Sequence, residues 1–148
     1  EATGNWCVQM GYGLESGLGQ QWFRKQLVAA YDGRCAVSDC GVSEALEAAH
    51  IENYSGPKSQ VASNGILLRR DLHSLFDAHL ISFEPVCGEY RLCGSYLLDK
   101  TDYASFAGAT LRQPNERQWR PDTVFLEAHR IEFDRSEKKR EKAGLLPY

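Results

Sequence analysis

From Gln20 onward, apolar residues recur at helical spacing: Phe23, Leu27, Ala30 and Tyr31 fall at i, i+4, i+7 and i+8. This predicts a helix over 20–31, ended by Asp32-Gly33. Arg34-Cys35-Ala36-Val37 reads as a short strand, and Ser38-Asp39-Cys40-Gly41 as turn chemistry. Ala45–Ile51 is rich in Ala, Leu and Glu, so propensity alone favours helix there. Glu52–Ser63 is polar and reads as a loop containing Gly56-Pro57; Asn64-Gly65 reads as a tight turn. A helix is expected from Arg69 to Ala78, with Leu72, Leu75 and Phe76 turned to the core. His73 and Asp77 stand at i and i+4 on it, so both project from one face. Ile81–Phe83 and Tyr90–Leu92 read as strands around the turn Pro85–Gly88, and Thr101–Phe106 as a short helix. Pro121-Asp122 opens a last helix with Val124, Phe125, Ala128 and Ile131 as its apolar stripe. Its charged tail, Arg135–Lys142, is expected to fray.

At 148 residues the chain suffices for one domain with a real core. The pattern divides into an irregular, Gly-rich segment over 1–19 with Trp6 and Tyr12 as candidate anchors, a domain over 20–133, and a charged tail over 134–148. Hydrophobic content of 43% and charged content of 25% are those of a soluble globular protein. No apolar run reaches membrane-spanning length, and no signal peptide opens the chain, which fits a cytoplasmic protein. The start, Glu1-Ala2-Thr3, lacks an initiator methionine and suggests a piece of a longer protein. Five cysteines, an odd number, favour reduced thiols over a disulfide framework. Cys35 and Cys40 could form half of a zinc knuckle, which would need two further ligands. The net charge of −3 excludes holding DNA by bulk positive charge, though not by a bound cation and a few placed arginines.

One stretch, from Leu46 to Asp77, concentrates the chemistry. His50 is followed by Asn64 after thirteen residues, and Asn64 by His73 after eight. The flanking blocks Leu46-Glu47-Ala48-Ala49-His50-Ile51, Ser63-Asn64-Gly65-Ile66-Leu67-Leu68 and Asp71-Leu72-His73 with Leu75-Phe76-Asp77 resemble the HNH endonuclease family. His129-Arg130 after Arg120-Pro121 also resembles the end of one HNH subgroup, so the likeness runs from about Gly19 to Arg130. It implies an α+β fold: a ββα-metal core with an added N-terminal helix and C-terminal strands and helix. It also makes Ala45–Ile51 a strand, the second arm of the ββ hairpin, against its helix propensity.

The resemblance implies metal-dependent hydrolysis of DNA phosphodiester bonds. That chemistry needs a base for water, a cation for the developing charge, and rigid positioning. His50 takes the place of the base, an imidazole with an unperturbed pKa of about 6.5 suiting the task; in the family its other ring nitrogen is held by a backbone carbonyl. Asn64 would brace the loop behind it. His73 and Asp77 would hold the cation, completing the catalytic set His50, Asn64 and His73. Many relatives carry Asp or His just before the base; this chain has Ala49, which makes Glu47 the first candidate for a third ligand. Few ligands with O and N donors fit Mg²⁺ or Mn²⁺, with Ni²⁺ and Zn²⁺ as alternatives. Arg69 and Arg70 are candidate phosphate contacts. The setting implied is a bacterial restriction or defence enzyme, with a separate target-recognition domain and, for double-strand cutting, a homodimer. Three alternatives stand beside it: a non-catalytic nucleic-acid-binding module, a structural zinc-knuckle protein, and a secreted nuclease toxin domain.

Overall fold

Helix α1 runs from Gly17 to Ala30 and buries Phe23 and Leu27, with Tyr31 just beyond its end. It stops where Asp32 and Gly33 adopt positive φ, and the Gly33 N–H bonds back to the Val28 carbonyl at 2.8 Å. The computed structural model describes residues 17–53, 55–56 and 59–148. The expectations for residues 1–16, with Trp6 and Tyr12 as anchors, and for Pro57 lie outside the described residues.

Strand β1 (Leu46–His50) pairs antiparallel with β2 (Gly65–Arg69), in the register Leu46 to Arg69 through His50 to Gly65. The family likeness was therefore right about 46–50, and helix propensity lost to pairing with a neighbouring strand. The other arm differs from expectation. It is β2, not 34–37. Residues 34–37 form a turn in which the Cys35 N–H bonds the Cys40 carbonyl, and this turn meets β2 through the Ala36 N–H at the Leu67 carbonyl and the Cys35 sulfur at the Arg69 N–H.

Asn64-Gly65 is also not a tight turn. Asn64 closes a short 3₁₀ turn over Ala62–Asn64, and Gly65 is extended, with φ −143°. Glycine is needed there for room: a Cβ would lie 2.6 Å from both Leu27 Cδ1 and Phe23 Cζ. This close approach seats α1 on β2 and carries Phe23 toward the end of β1.

Helix α2 (Arg70–Asp77) follows β2 directly and buries Leu72 and Phe76. It ends at Asp77, and two residues on His79 takes the left-handed region at φ 54°, where the Leu80 N–H bonds the Leu75 carbonyl. Strands β3 (Ile81–Val86) and β4 (Glu89–Gly94) form a hairpin, closed by Cys87-Gly88 with φ of 52° and 82°. A 3₁₀ helix spans Asp102–Phe106, as the expected short helix.

Helix α3 (Thr123–Lys142) is capped by the Asp122 carboxylate, which accepts from the Val124 N–H at 2.9 Å. Its buried face is Leu126, His129 and Phe133, whereas Val124 and Ile131 are exposed, so the expected stripe is out of phase. A buried histidine inside the stripe hid the true period. The charged tail does not fray either: α3 is continuous to Lys142, and Arg140 donates to the Ala78 and His79 carbonyls at 2.9 and 2.8 Å.

Candidate active site

The two strands and α2 bring Glu47, His50, Arg70 and His73 to one cleft of about 750 Å³, which Phe23 and Arg24 of α1 complete. His50 ends β1 half-buried. Its ring lies flat on Phe23, with centroids 4.2 Å apart and planes 8° from parallel. Its Nε2 is 2.7 Å from the Gln60 amide oxygen. Burial pulls the His50 pKa below its usual 6.5; the bond to Gln60 and the charge of Asp77 oppose this, and His73 adds to it. His50 therefore stays neutral, with a lone pair to accept a proton, through the neutral range.

Asn64 sits beyond the end of β1 with 1% of its surface exposed. Its Oδ1 accepts from the Glu52 N–H at 2.9 Å, and its Nδ2 donates to the Glu52 and Ser59 carbonyls at 3.1 and 3.0 Å. One side chain thus ties both ends of the segment that follows β1.

His73 stands between two carboxylates. Its Nδ1 is 2.8 Å from Glu47 Oε1 and its Nε2 is 3.1 Å from Asp77 Oδ2. Asp77 first, then Glu47, raise its pKa above 6.5 against the opposing effect of burial. An imidazole nitrogen and a carboxylate oxygen so spaced suit two adjacent ligands on an octahedral ion, which stand roughly 3 Å apart when metal–oxygen distances are about 2.1 Å. The pair thus fits a divalent cation. Among the described residues no group of three His, Cys, Asp or Glu side chains is arranged to hold one. Glu47 faces the ring nitrogen opposite to Asp77, and Ala49, fully buried, offers no donor.

The two candidate arginines part company. Arg70 is largely exposed on the cleft, 3.6 Å from Glu47. Arg69 is engaged elsewhere: it grips Asp71 with two bonds of 2.7 and 2.8 Å and lies 5.4 Å over the Phe106 ring. That grip, with the Tyr103 hydroxyl donating at 2.8 Å, takes the Asp71 pKa down to about 2.

Two residues that line the cleft and a third buried behind it carry no motif signal. Phe23 and Arg24 lie outside the His-Asn-His blocks, and Gln60 is one polar residue in a polar loop. Arg24 holds the start of β1, donating to the Leu46 carbonyl at 2.6 Å and the Ser43 carbonyl at 3.0 Å. The buried Cys35 sulfur accepts from the Val37, Ser38 and Arg69 N–H groups, and among the described residues no group of three His, Cys, Asp or Glu side chains gathers around it and Cys40 as a zinc knuckle would need.

A strand pair leads straight into a short helix, with a histidine ending the first strand and a histidine–carboxylate pair on the helix, the ββα arrangement that the sequence likeness implies. Residues 35–84 match the family model described as HNH endonuclease, a stretch spanning β1, β2, α2 and the start of β3. In that central third the chain is similar to the HNH endonuclease family, whose members generally use a divalent metal ion. No curated protein matches it. No helix among the described residues is long and apolar enough to cross a membrane.

Proposed function

We propose that this protein is a divalent-cation-dependent endonuclease that hydrolyses DNA phosphodiester bonds in the His50–His73 cleft. The observation that carries this reading is the placement of His50, His73 and Arg70 on one cleft of an HNH core, with Asp77 against the outer nitrogen of His73. His50 takes the proton of the attacking water. Its burial keeps it unprotonated, and the flat contact with Phe23 limits its rotation. Asn64 fixes the segment behind it. Arg70 contacts a backbone phosphate oxygen, while Arg69 stays with Asp71.

A cation held by His73 and Asp77 would polarise the phosphate and stabilise the leaving oxygen. Glu47 then serves as the carboxylate that accepts from His73 Nδ1–H and turns Nε2 toward Asp77. This differs from a third-ligand role for Glu47. The donor set favours Mg²⁺ or Mn²⁺, with Ni²⁺ or Zn²⁺ also accommodated.

The cellular setting we propose is a bacterial restriction or defence enzyme of the cytoplasm. The net charge of −3 supports a separate domain or subunit supplying much of the DNA affinity, and double-strand cutting would call for a homodimer. Supercoiled plasmid incubated with Mg²⁺, Mn²⁺ or Ni²⁺, beside EDTA, tests the reading. Nicking or linearisation that EDTA abolishes supports it; cleavage unaffected by EDTA, or DNA bound but uncut in every metal, contradicts it.

A further inference from the structure

We infer that Gln60 is the positioning residue that fixes the tautomer of the general base. The inference rests on His50 being that base. Gln60 is 2% exposed, and its amide oxygen lies 2.7 Å from His50 Nε2. An amide oxygen only accepts, so the ring nitrogen facing it carries the hydrogen, and the lone pair of the neutral ring resides on Nδ1. A histidine serving as base must present one chosen nitrogen to water; the wrong tautomer offers a hydrogen where a lone pair is needed.

Two further observations separate this role from simple packing. The Gln60 amide nitrogen is buried without a hydrogen-bond partner, so the residue is poorly matched to its surroundings as a stabilising element. Orphaned polar groups kept beside a reactive side chain mark places where function outweighs local fit. The surroundings of Gln60 are also built to hold it still. Ser59 immediately before it is buried, its hydroxyl donates to the Gly56 carbonyl at 2.6 Å, and its carbonyl accepts from Asn64 Nδ2 at 3.0 Å. Asn64 thus reaches His50 twice, through Glu52 beyond the end of β1 and through Ser59 to Gln60.

The test is a long-range ¹H–¹⁵N spectrum of the histidine rings in the full chain, with cleavage kinetics on the same samples. Wild type is expected to show His50 as the Nε2–H tautomer. Gln60→Leu, which also removes the orphaned amide, should fold, mix the two tautomers and lower kcat about 10- to 100-fold at unchanged KM. Gln60→Glu restores an acceptor at the same place and should recover the Nε2–H form and part of kcat. An Nδ1–H tautomer in wild type overturns the inference, as does a Gln60→Leu variant with wild-type tautomer and kcat. The wild-type spectrum decides even if the Leu variant does not fold. Wild-type cleavage by His50→Ala would instead remove the base assignment and leave the tautomer result standing.

Discussion

The ring of Phe23 lies nearly parallel to that of His50, with centroids 4.2 Å apart and planes 8° from parallel, so a residue of helix α1 forms one wall of the His50 site. Phe23 is 2% exposed and stands outside the 35–84 stretch that matches the family. The added helix is therefore part of the proposed site as well as of the core. Phe23→Ala should cost about 3–5 kcal/mol and leave little folded protein. Phe23→Leu should stay folded with a stability loss of up to about 1.5 kcal/mol, while cleavage falls severalfold. Chemical denaturation beside a cleavage assay separates the two effects; unchanged cleavage in a folded Leu variant would limit Phe23 to packing.

Asn64→Ala leaves the Glu52 N–H and two carbonyls without their partners. Unfolding free energy should drop by about 1–3 kcal/mol. Cleavage should drop with it at temperatures where the variant is still folded, because the segment holding Gln60 loosens. Equal stability of variant and wild type in a urea titration would contradict the brace.

Glu47 and Asp77 should behave differently although both touch His73. Asp77→Ala should raise the cation concentration needed for half-maximal cleavage by tenfold or so. Glu47→Gln keeps an oxygen that accepts from Nδ1–H, so its cation requirement should stay near wild type, whereas Glu47→Ala should raise it about 10- to 100-fold. Calorimetric titration of the cation into each variant gives the comparison. Equal losses in the Gln and Ala variants would make Glu47 a direct ligand.

His129 predicts an acid-sensitive step in stability. Its Nε2 is 2.9 Å from the Phe76 carbonyl, the Ser82 hydroxyl donates to its Nδ1 at 2.7 Å, and its ring stacks on Phe76 at 3.7 Å. Burial, reinforced by the charge of His79, lowers its pKa to about 4, opposed by the bond to the Phe76 carbonyl. The unfolded chain, at about 6.5, binds the proton more readily. The stability held by neutral His129 is thus fully present above pH 6.5 and lost as pH falls toward 4, to a total of about 3 kcal/mol. Melting temperatures at pH 7 and 4.5 should diverge more in wild type than in His129→Gln; parallel slopes would exclude His129 as the origin.

The parts of this fold legible in the sequence were those set by local spacing: α1, α2 and the β3–β4 hairpin; His50, Asn64 and His73 were singled out by the family likeness. Strand β1 needed the family likeness, because Ala and Leu carry helix propensity that only pairing with β2 overrides. Strand β2 was hidden by Asn64-Gly65, a turn dipeptide used here to admit α1 at close range. The face of α3 was misjudged because a buried histidine, satisfied by Ser82 and Phe76, occupies an apolar position. Gln60 could not be found, since nothing in a polar loop shows which amide meets the base. Arg69 and Arg70, neighbours in sequence, diverge because Asp71, Phe106 and Tyr103 claim only the first.

Cleavage by His50→Ala tests the central claim most directly. With supercoiled plasmid and a saturating divalent cation, wild type is expected to cut. The variant, shown to be folded by circular dichroism and to retain its cation affinity, should lose at least a hundredfold in rate. A folded His50→Ala protein that cuts at the wild-type rate would remove His50 as the base and with it the mechanism proposed for the cleft.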